Sequence, residues 1–387
     1  MFLDRLLATN PALAELALAW HADGTVEPDT YLLDLDAIRE NARAMLDVAT
    51  PCGISLYYML KQIGRNPLVA QALQEEGLAG AVCVDWREAQ TLAAAPGVRL
   101  GNVGHLVQTP VHALSRVLAA RPEVVTVYSL EKAAQVGAEA ERQGFVQPLL
   151  LRVLDDGDTL YSGQYGGFGL SELPDVLDRL EAMSGVRVGG ACSFPCFLYD
   201  DAAGDVAELH NAETVRRAIA LMCERGYEGL QANMPSTSCA HVVPMAAAAG
   251  ATHMEPGHGL TGTTPYHAAH PAAAERVAYA YVSELSHNLD GHGYCFGGGH
   301  YRRGHVHGAL VGNGLVGARR VNVTPPTDES IDYHFELSEP GRVGEGVLMC
   351  FRTQVFVTRS EVAVVGGLSS GAPVLEGVFD AQGRRLR

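Results

Sequence analysis

Eight short apolar runs alternate with helical patterns between Gly53 and about Pro265, and this alternation constrains the fold more than any other feature of the chain. The runs are Ile54–Leu60, Gly80–Val84, Val98–Val103, Val124–Val127, Pro148–Leu154, Val186–Ser193, Gly229–Asn233 and Thr252–Glu255. Between them stand Ala- and Leu-rich segments with helical spacing, such as Trp86–Ala95, Leu130–Gln143 and Ala212–Arg225. Strands buried on both faces read as unbroken apolar runs, and strand–helix repeats build parallel sheets. Eight repeats predict an α/β fold, a parallel (β/α)8 TIM barrel over residues 51–270. Reactive groups in such a barrel stand at the carboxyl ends of its strands, and phosphates bind in the loops after the last two.

Two pieces flank the barrel. Residues 1–30 read as an N-terminal helical segment, and residues 31–50 as a strand–helix lead-in with Asp36 as the helix N-cap. After about Glu275 the helical patterns end. Val277–Leu285, His305–Val311, Ala318–Val323, Ile331–Leu337, Val347–Val357 and Glu361–Val365 read as strands between Gly and Pro turns. Residues 271–387 are therefore expected to form a C-terminal all-β domain.

Bulk properties narrow the function. A net charge of −16 opposes binding to nucleic acid or to anionic membrane surfaces. No run approaches the ~20 apolar residues of a membrane span. Asp4, Pro11 and Glu15 interrupt the N-terminal apolar stretch, which does not read as a signal peptide. Eight cysteines without a C-x-x-C pair read as a reduced, cytoplasmic protein.

The chemistry concentrates in two places. Lys61 closes the apolar aromatic run Leu56-Tyr57-Tyr58-Met59-Leu60-Lys61, at the carboxyl end of the first barrel strand. A lysine there gives up hydration, which calls for a compensating role. Glu255 ends the eighth run and opens Glu255-Pro256-Gly257-His258-Gly259-Leu260-Thr261-Gly262-Thr263, a loop whose backbone N–H groups suit a phosphate. The loop Asn233–Ser238 follows the seventh run. A carbonyl ligand bearing a phosphate and a basic ring nitrogen satisfies all of these features, and pyridoxal 5'-phosphate is such a ligand.

A first barrel strand ending in lysine, Leu150-Leu151-Arg152-Val153 in the fifth strand and Glu-Pro-Gly after the eighth resemble the fold-type III pyridoxal phosphate enzymes. Among these are the alanine racemases and the ornithine and diaminopimelate decarboxylases. Tyr31–Asn41 is similar to the strand–helix that precedes the barrel in alanine racemases. Glu255–Gly262 and the motif Tyr294-Cys-Phe-Gly-Gly-Gly299 resemble the YhfX-like racemase subgroup. The resemblance implies that Lys61 bonds to the cofactor and acts as one proton-transfer base, with Arg152 near the phenolic oxygen. It also implies that Ser236, Thr237, Gly257 and His258 hold the phosphate and Glu255 the pyridine nitrogen. In alanine racemases an arginine takes that last place, so Glu255 follows the decarboxylases, whereas His258 departs from their Glu-Pro-Gly-Arg. The alanine racemase lysine signature is absent, since Gln62-Ile63-Gly64-Arg65 follows the lysine.

Cys295 is expected to be the acid or base on the face opposite Lys61, with Tyr294 and Tyr301 as alternatives. The glycines after it are expected to let the backbone approach a ligand or a second subunit, and a homodimer is the expected assembly. Arg352 is a candidate for the substrate carboxylate through its planar fork. Cys192, Ser193 and Cys196 end the sixth run and either line the pocket or pack. His287, His292, His300, His305 and His307 cluster in sequence, His305 and His307 on one strand face, without a settled ligand spacing; no metal is assigned. The reading is an enzyme acting at the Cα of a small amino-acid substrate, an amino-acid racemase. The alternatives are a decarboxylase, a metal-assisted aldolase or dehydratase, a non-catalytic cofactor carrier and a barrel hydrolase.

Overall fold

The computed structural model describes residues 2–387. One compact unit comprises Ala42–Leu60 and Pro67–Gly259; the other comprises the segment ending at Asn41 together with Lys61–Asn66 and Leu260–Arg387.

The first unit is a parallel barrel. Its strands are β1 (Ser55–Met59), β2 (Gly80–Cys83), β3 (Leu100–Val103), β4 (Val124–Val127), β5 (Gln147–Leu154), β6 (Val186–Cys192), β7 (Gln231–Asn233) and β8 (His253–Met254). They run β4-β3-β2-β1-β8-β7-β6-β5, and pairing of Val125 with Leu149 closes the ring. Every strand agrees with its apolar run to within two residues at either end. Polar side chains at the strand exits start the helices. Asp85 accepts from the N–H groups of Arg87 and Glu88 to open Trp86–Ala93, and Ser129 accepts from Lys132 to open Leu130–Arg142. Each such cap contributes about 1 kcal/mol.

In the second unit six antiparallel strands close on themselves in the order Tyr279–Leu289, His292–Phe296, His334–Leu337, Arg319–Thr324, Gly308–Val311 and Gly346–Met349. Closure leaves these strands without a bare edge. Thr30–Asp34 extends the sheet, antiparallel to Tyr279–Leu289 and parallel to Glu361–Gly366, and Val374–Phe379 ends it. Buried aromatic rings fill this unit: Tyr31 meets Tyr281 at 4.9 Å, and Tyr281 meets Phe351 at 5.5 Å between centroids. Helices Phe2–Thr9 and Pro11–Ala22 precede the sheet, and Asn10 caps the second of them.

Four local expectations are corrected. Asp34, not Asp36, caps the helix Leu35–Ala49: its Oδ1 accepts from Ala37 N–H at 3.0 Å, whereas the Asp36 carboxylate accepts from Ser369. Val347–Val357 is a strand only through Met349 and ends in the 3-10 turn Val355–Val357. His305 has left-handed backbone (φ 53°) and precedes the strand that begins at Gly308, so it does not share a strand face with His307. The strands His292–Phe296 and Val374–Phe379 had no counterpart among the expected runs. Among the described residues, no helix is long and apolar enough to cross a membrane.

Candidate functional site

The polar centre of the barrel unit is Glu255, immediately after β8, with its side chain almost wholly buried. Its Oε1 accepts from Asn233 Nδ2 at 2.7 Å and from Asn102 Nδ2 at 3.0 Å. Thr126 Oγ1 donates to Asn102 Oδ1 at 2.7 Å, which fixes the Asn102 amide with its NH2 toward the carboxylate. Residues ending β3, β4, β7 and β8 thus converge on one acid. The other oxygen, Oε2, has no hydrogen-bond partner; the His105 ring nitrogen lies 3.7 Å away. A buried carboxylate oxygen left open is costly unless a donor arrives.

Arg152 on β5 is fully buried. Its Nη1 donates to Tyr128 Oη at 2.9 Å and its Nη2 to the Gln164 carbonyl at 2.9 Å, both neutral partners, while Nε has none. Among the described residues Arg152 forms no ion pair with a carboxylate. A buried guanidinium without an anion is unfavourable on its own. Tyr128 in turn donates to the carbonyl of His105, which links Arg152 to the residue beside Glu255. Burial raises the Tyr128 hydroxyl, with Arg152 opposing. Burial also pushes the Cys192 thiol up to about 12, reinforced by Glu255.

The two loops expected to hold a phosphate adjoin. Ser236 and Thr237 both have positive φ (108° and 46°), two consecutive non-glycine residues in a conformation that costs energy. A Cβ on Gly259 would stand 2.2 Å from the Ser238 carbonyl, so only glycine lets the Pro256–Gly259 loop approach so closely. Gly257 and His258 are buried in that loop. The Thr237 hydroxyl donates to the Phe197 carbonyl at 3.0 Å.

Lys61 lies two residues beyond β1, in the 3-10 turn Lys61–Ile63, and not in the strand itself. The strand end that delivers it is tied to the Glu255 loop, since Met59 N–H donates to the Pro256 carbonyl at 2.9 Å.

Of the sequence candidates, the barrel unit brings together Glu255 and the cluster around Arg152, together with the Ser236–Thr237 and Gly257–His258 loops. Asn102, Asn233, His105 and Tyr128 were not anticipated. The signal for Asn102 was a polar amide near the exit of an otherwise apolar strand. Cys192, Ser193 and Cys196 are buried: Cys196 Sγ donates to the Ser193 carbonyl, and Ser193 Oγ accepts from Asn211.

Cys295 is not retained as the opposite-face acid. It faces the interior of the six-stranded ring, opposite Leu285 and Phe335, with no exposed surface, and burial pushes its thiol up to about 12. A thiol so placed meets neither solvent nor a second chain. The glycines after it serve the chain's own packing, since a Cβ on Gly297, Gly298 or Gly299 would collide with Asp332, Asp29 or Tyr281 respectively. His287 stacks on Tyr294 at 4.9 Å. Arg352 is half-buried beyond the strand Gly346–Met349, near Tyr279.

Residues 33–265 match the family described as alanine racemase, N-terminal domain, and residues 280–375 match the YhfX-like C-terminal domain. The uncharacterized protein YhfX of Escherichia coli (strain K12) is 40% identical over 389 residues, covering 100% of both chains. The alanine racemase of Clostridium difficile 630 in complex with cycloserine shares the fold at a TM-score of 0.67 and 14% identity, over 91% of this chain and 98% of that one. D-threonine aldolase from Filomicrobium marinum does so at 0.66 and 16% identity, over 94% and 96%. The chain belongs to the alanine racemase-like family of fold-type III pyridoxal phosphate enzymes.

Proposed function

We propose that this protein is a pyridoxal-phosphate-dependent amino-acid racemase. The observation that carries the reading is the buried Glu255 carboxylate, one oxygen saturated by two amides and the other open, in a barrel whose buried Arg152 lacks an anion. Both deficits fit a ligand with a cationic N–H and an anionic oxygen. When bound, the cofactor supplies an electron-accepting ring that eases departure of the substrate Cα proton.

The chain's own residues do the rest. Glu255 Oε2 would accept from the ring nitrogen, and Asn102 and Asn233 keep that carboxylate aimed. Arg152 binds the phenolic oxygen. Ser236 and Thr237 through their backbone N–H groups, with Gly257 and His258, bind the phosphate. Lys61 would hold the cofactor and take the Cα proton on one face. Tyr294 or Tyr301 returns it on the other, and Arg352 binds the substrate carboxylate. The enzyme acts as a homodimer, because a barrel mouth open to water would let solvent compete for the proton.

Glu255 also favours a decarboxylase as a second reading, since the resembling decarboxylases carry an acid at this place. One experiment separates the readings. The protein loaded with pyridoxal phosphate is incubated in D2O with a panel of L- and D-amino acids, followed by mass spectrometry and chiral chromatography. Deuterium at Cα with interconversion of enantiomers is the expected result. Amine and carbon dioxide would establish the decarboxylase, and bound cofactor without either outcome a carrier.

A further inference from the structure

The segment that carries Lys61 groups with the all-β unit and not with the barrel strand that precedes it. The reason is visible in the residues that follow. Gly64 and Arg65 are both left-handed (φ 77° and 54°). Glycine adopts this conformation freely, but arginine does so at a cost and persists there only where its surroundings hold it. They do. The Arg65 side chain is buried, its guanidinium lies 5.0 Å from the Phe356 ring centroid, and its Nη1 donates to Gln382 Oε1 at 2.8 Å. Gln382 is held in turn, donating from Nε2 to the Phe356 carbonyl at 2.6 Å and from its N–H to Asp380 Oδ1 at 2.9 Å. Asp380 also accepts from Arg384 N–H, which closes the turn Asp380–Gly383 around the same carboxylate. At Gly64, an added Cβ would stand 2.9 Å from Val362 and 3.3 Å from Val355.

We infer that the Asp380–Gly383 turn, acting through Gln382 on Arg65, is a clamp that positions Lys61 for bonding to the cofactor. This rests on the proposed function. Only three residues separate Lys61 from Arg65, and a 3-10 turn followed by a sharply redirected backbone leaves that stretch little freedom. Removing the hydrogen bond frees the strained Arg65 backbone to relax, and the relaxation moves the Lys61 amine. The phosphate and ring contacts are carried by other residues and stay in place. Arg65 and Gln382 are positioning residues; neither touches the reacting atoms.

The test compares two ligands on the full-length protein. With pyridoxal phosphate the Lys61 amine condenses with the aldehyde, releasing water, and borohydride then fixes the carbon–nitrogen bond by adding hydride. Pyridoxine phosphate carries an alcohol in place of the aldehyde and cannot form that bond. Gln382 is solvent-exposed, so Gln382→Ala leaves the core intact. In Gln382→Ala the affinity for pyridoxal phosphate, and its borohydride capture on Lys61, should fall about tenfold, the scale of one charge-assisted hydrogen bond. The affinity for pyridoxine phosphate and the melting temperature should hold, and Gln382→Glu, which keeps the acceptor for Arg65, should restore capture. An equal fall for both ligands, or no fall for either, would overturn the clamp and leave the proposed function standing. Absence of capture on Lys61 in the unsubstituted protein would overturn that function and the clamp with it.

Discussion

Asn233 donates to Glu255 at 2.7 Å, and through this contact the exits of two neighbouring barrel strands fix the acid at the centre of the site. With Asn102 on the same oxygen, the carboxylate has one filled and one open acceptor. Glu255→Gln would put an amide where the carboxyl group now stands. The Cα exchange rate should fall at least tenfold, since a charge-assisted hydrogen bond contributes about 1.5–3 kcal/mol. Asn233→Ala should give a smaller loss in the same direction, because Asn102 remains. Deuterium exchange at unchanged rate in Glu255→Gln would place the acid outside the reaction.

Arg152 sets stability against function. Arg152→Met removes a buried charge that lacks an anion, so the cofactor-free variant should unfold at a temperature no lower than the unsubstituted protein. Its affinity for pyridoxal phosphate should nevertheless drop at least about tenfold. Calorimetry on the cofactor-free protein and titration with cofactor check the two halves. A lower unfolding temperature would mean that Tyr128 and Gln164 compensate the guanidinium fully.

Cys295→Ala should act on stability and not on chemistry. Removing a buried sulfur leaves a small void and costs about 1 kcal/mol, while exchange and enantiomer interconversion persist within about twofold. Loss of interconversion with exchange retained would return Cys295 to the mechanism.

Acid sensitivity should be centred in part on His253. Burial lowers its ring to about 4 from an ordinary 6.5, with Glu123 at 4.0 Å too distant to offset it. The folded protein holds the ring neutral while the unfolded chain binds a proton, so the contribution is complete above pH 6.5 and is lost as pH falls toward about 4. A shift of this size corresponds to about 3 kcal/mol at most. Urea unfolding at pH 7 and pH 5 should show a larger loss for the unsubstituted protein than for His253→Gln. Equal losses would assign the acid sensitivity to other groups.

The barrel was legible because strands buried on both faces are largely apolar, as in Gly80–Cys83 and Val124–Val127, and because such runs alternate with helical segments along the chain. The β unit was less so. His292–Phe296 holds histidine, glycine and tyrosine at its first three positions, and only its pairing with Leu285 and Phe335 reveals that Cys295 points inward. A one-residue change of register would have turned it outward. Lys61 and Glu255 announced themselves as charges at the ends of apolar runs, and Arg152 as a charge within one. Asn102 and Asn233 did not, because their meaning lies in convergence on Glu255 from strands separated by more than a hundred residues.

The account stands most directly on Lys61. The protein loaded with pyridoxal phosphate is treated with borohydride, digested and mapped by mass spectrometry. The account predicts reduced cofactor on the peptide containing Lys61, none in Lys61→Ala, and an unchanged unfolding profile of that variant without cofactor. Reduced cofactor on another lysine, or equal labelling in Lys61→Ala, would contradict it.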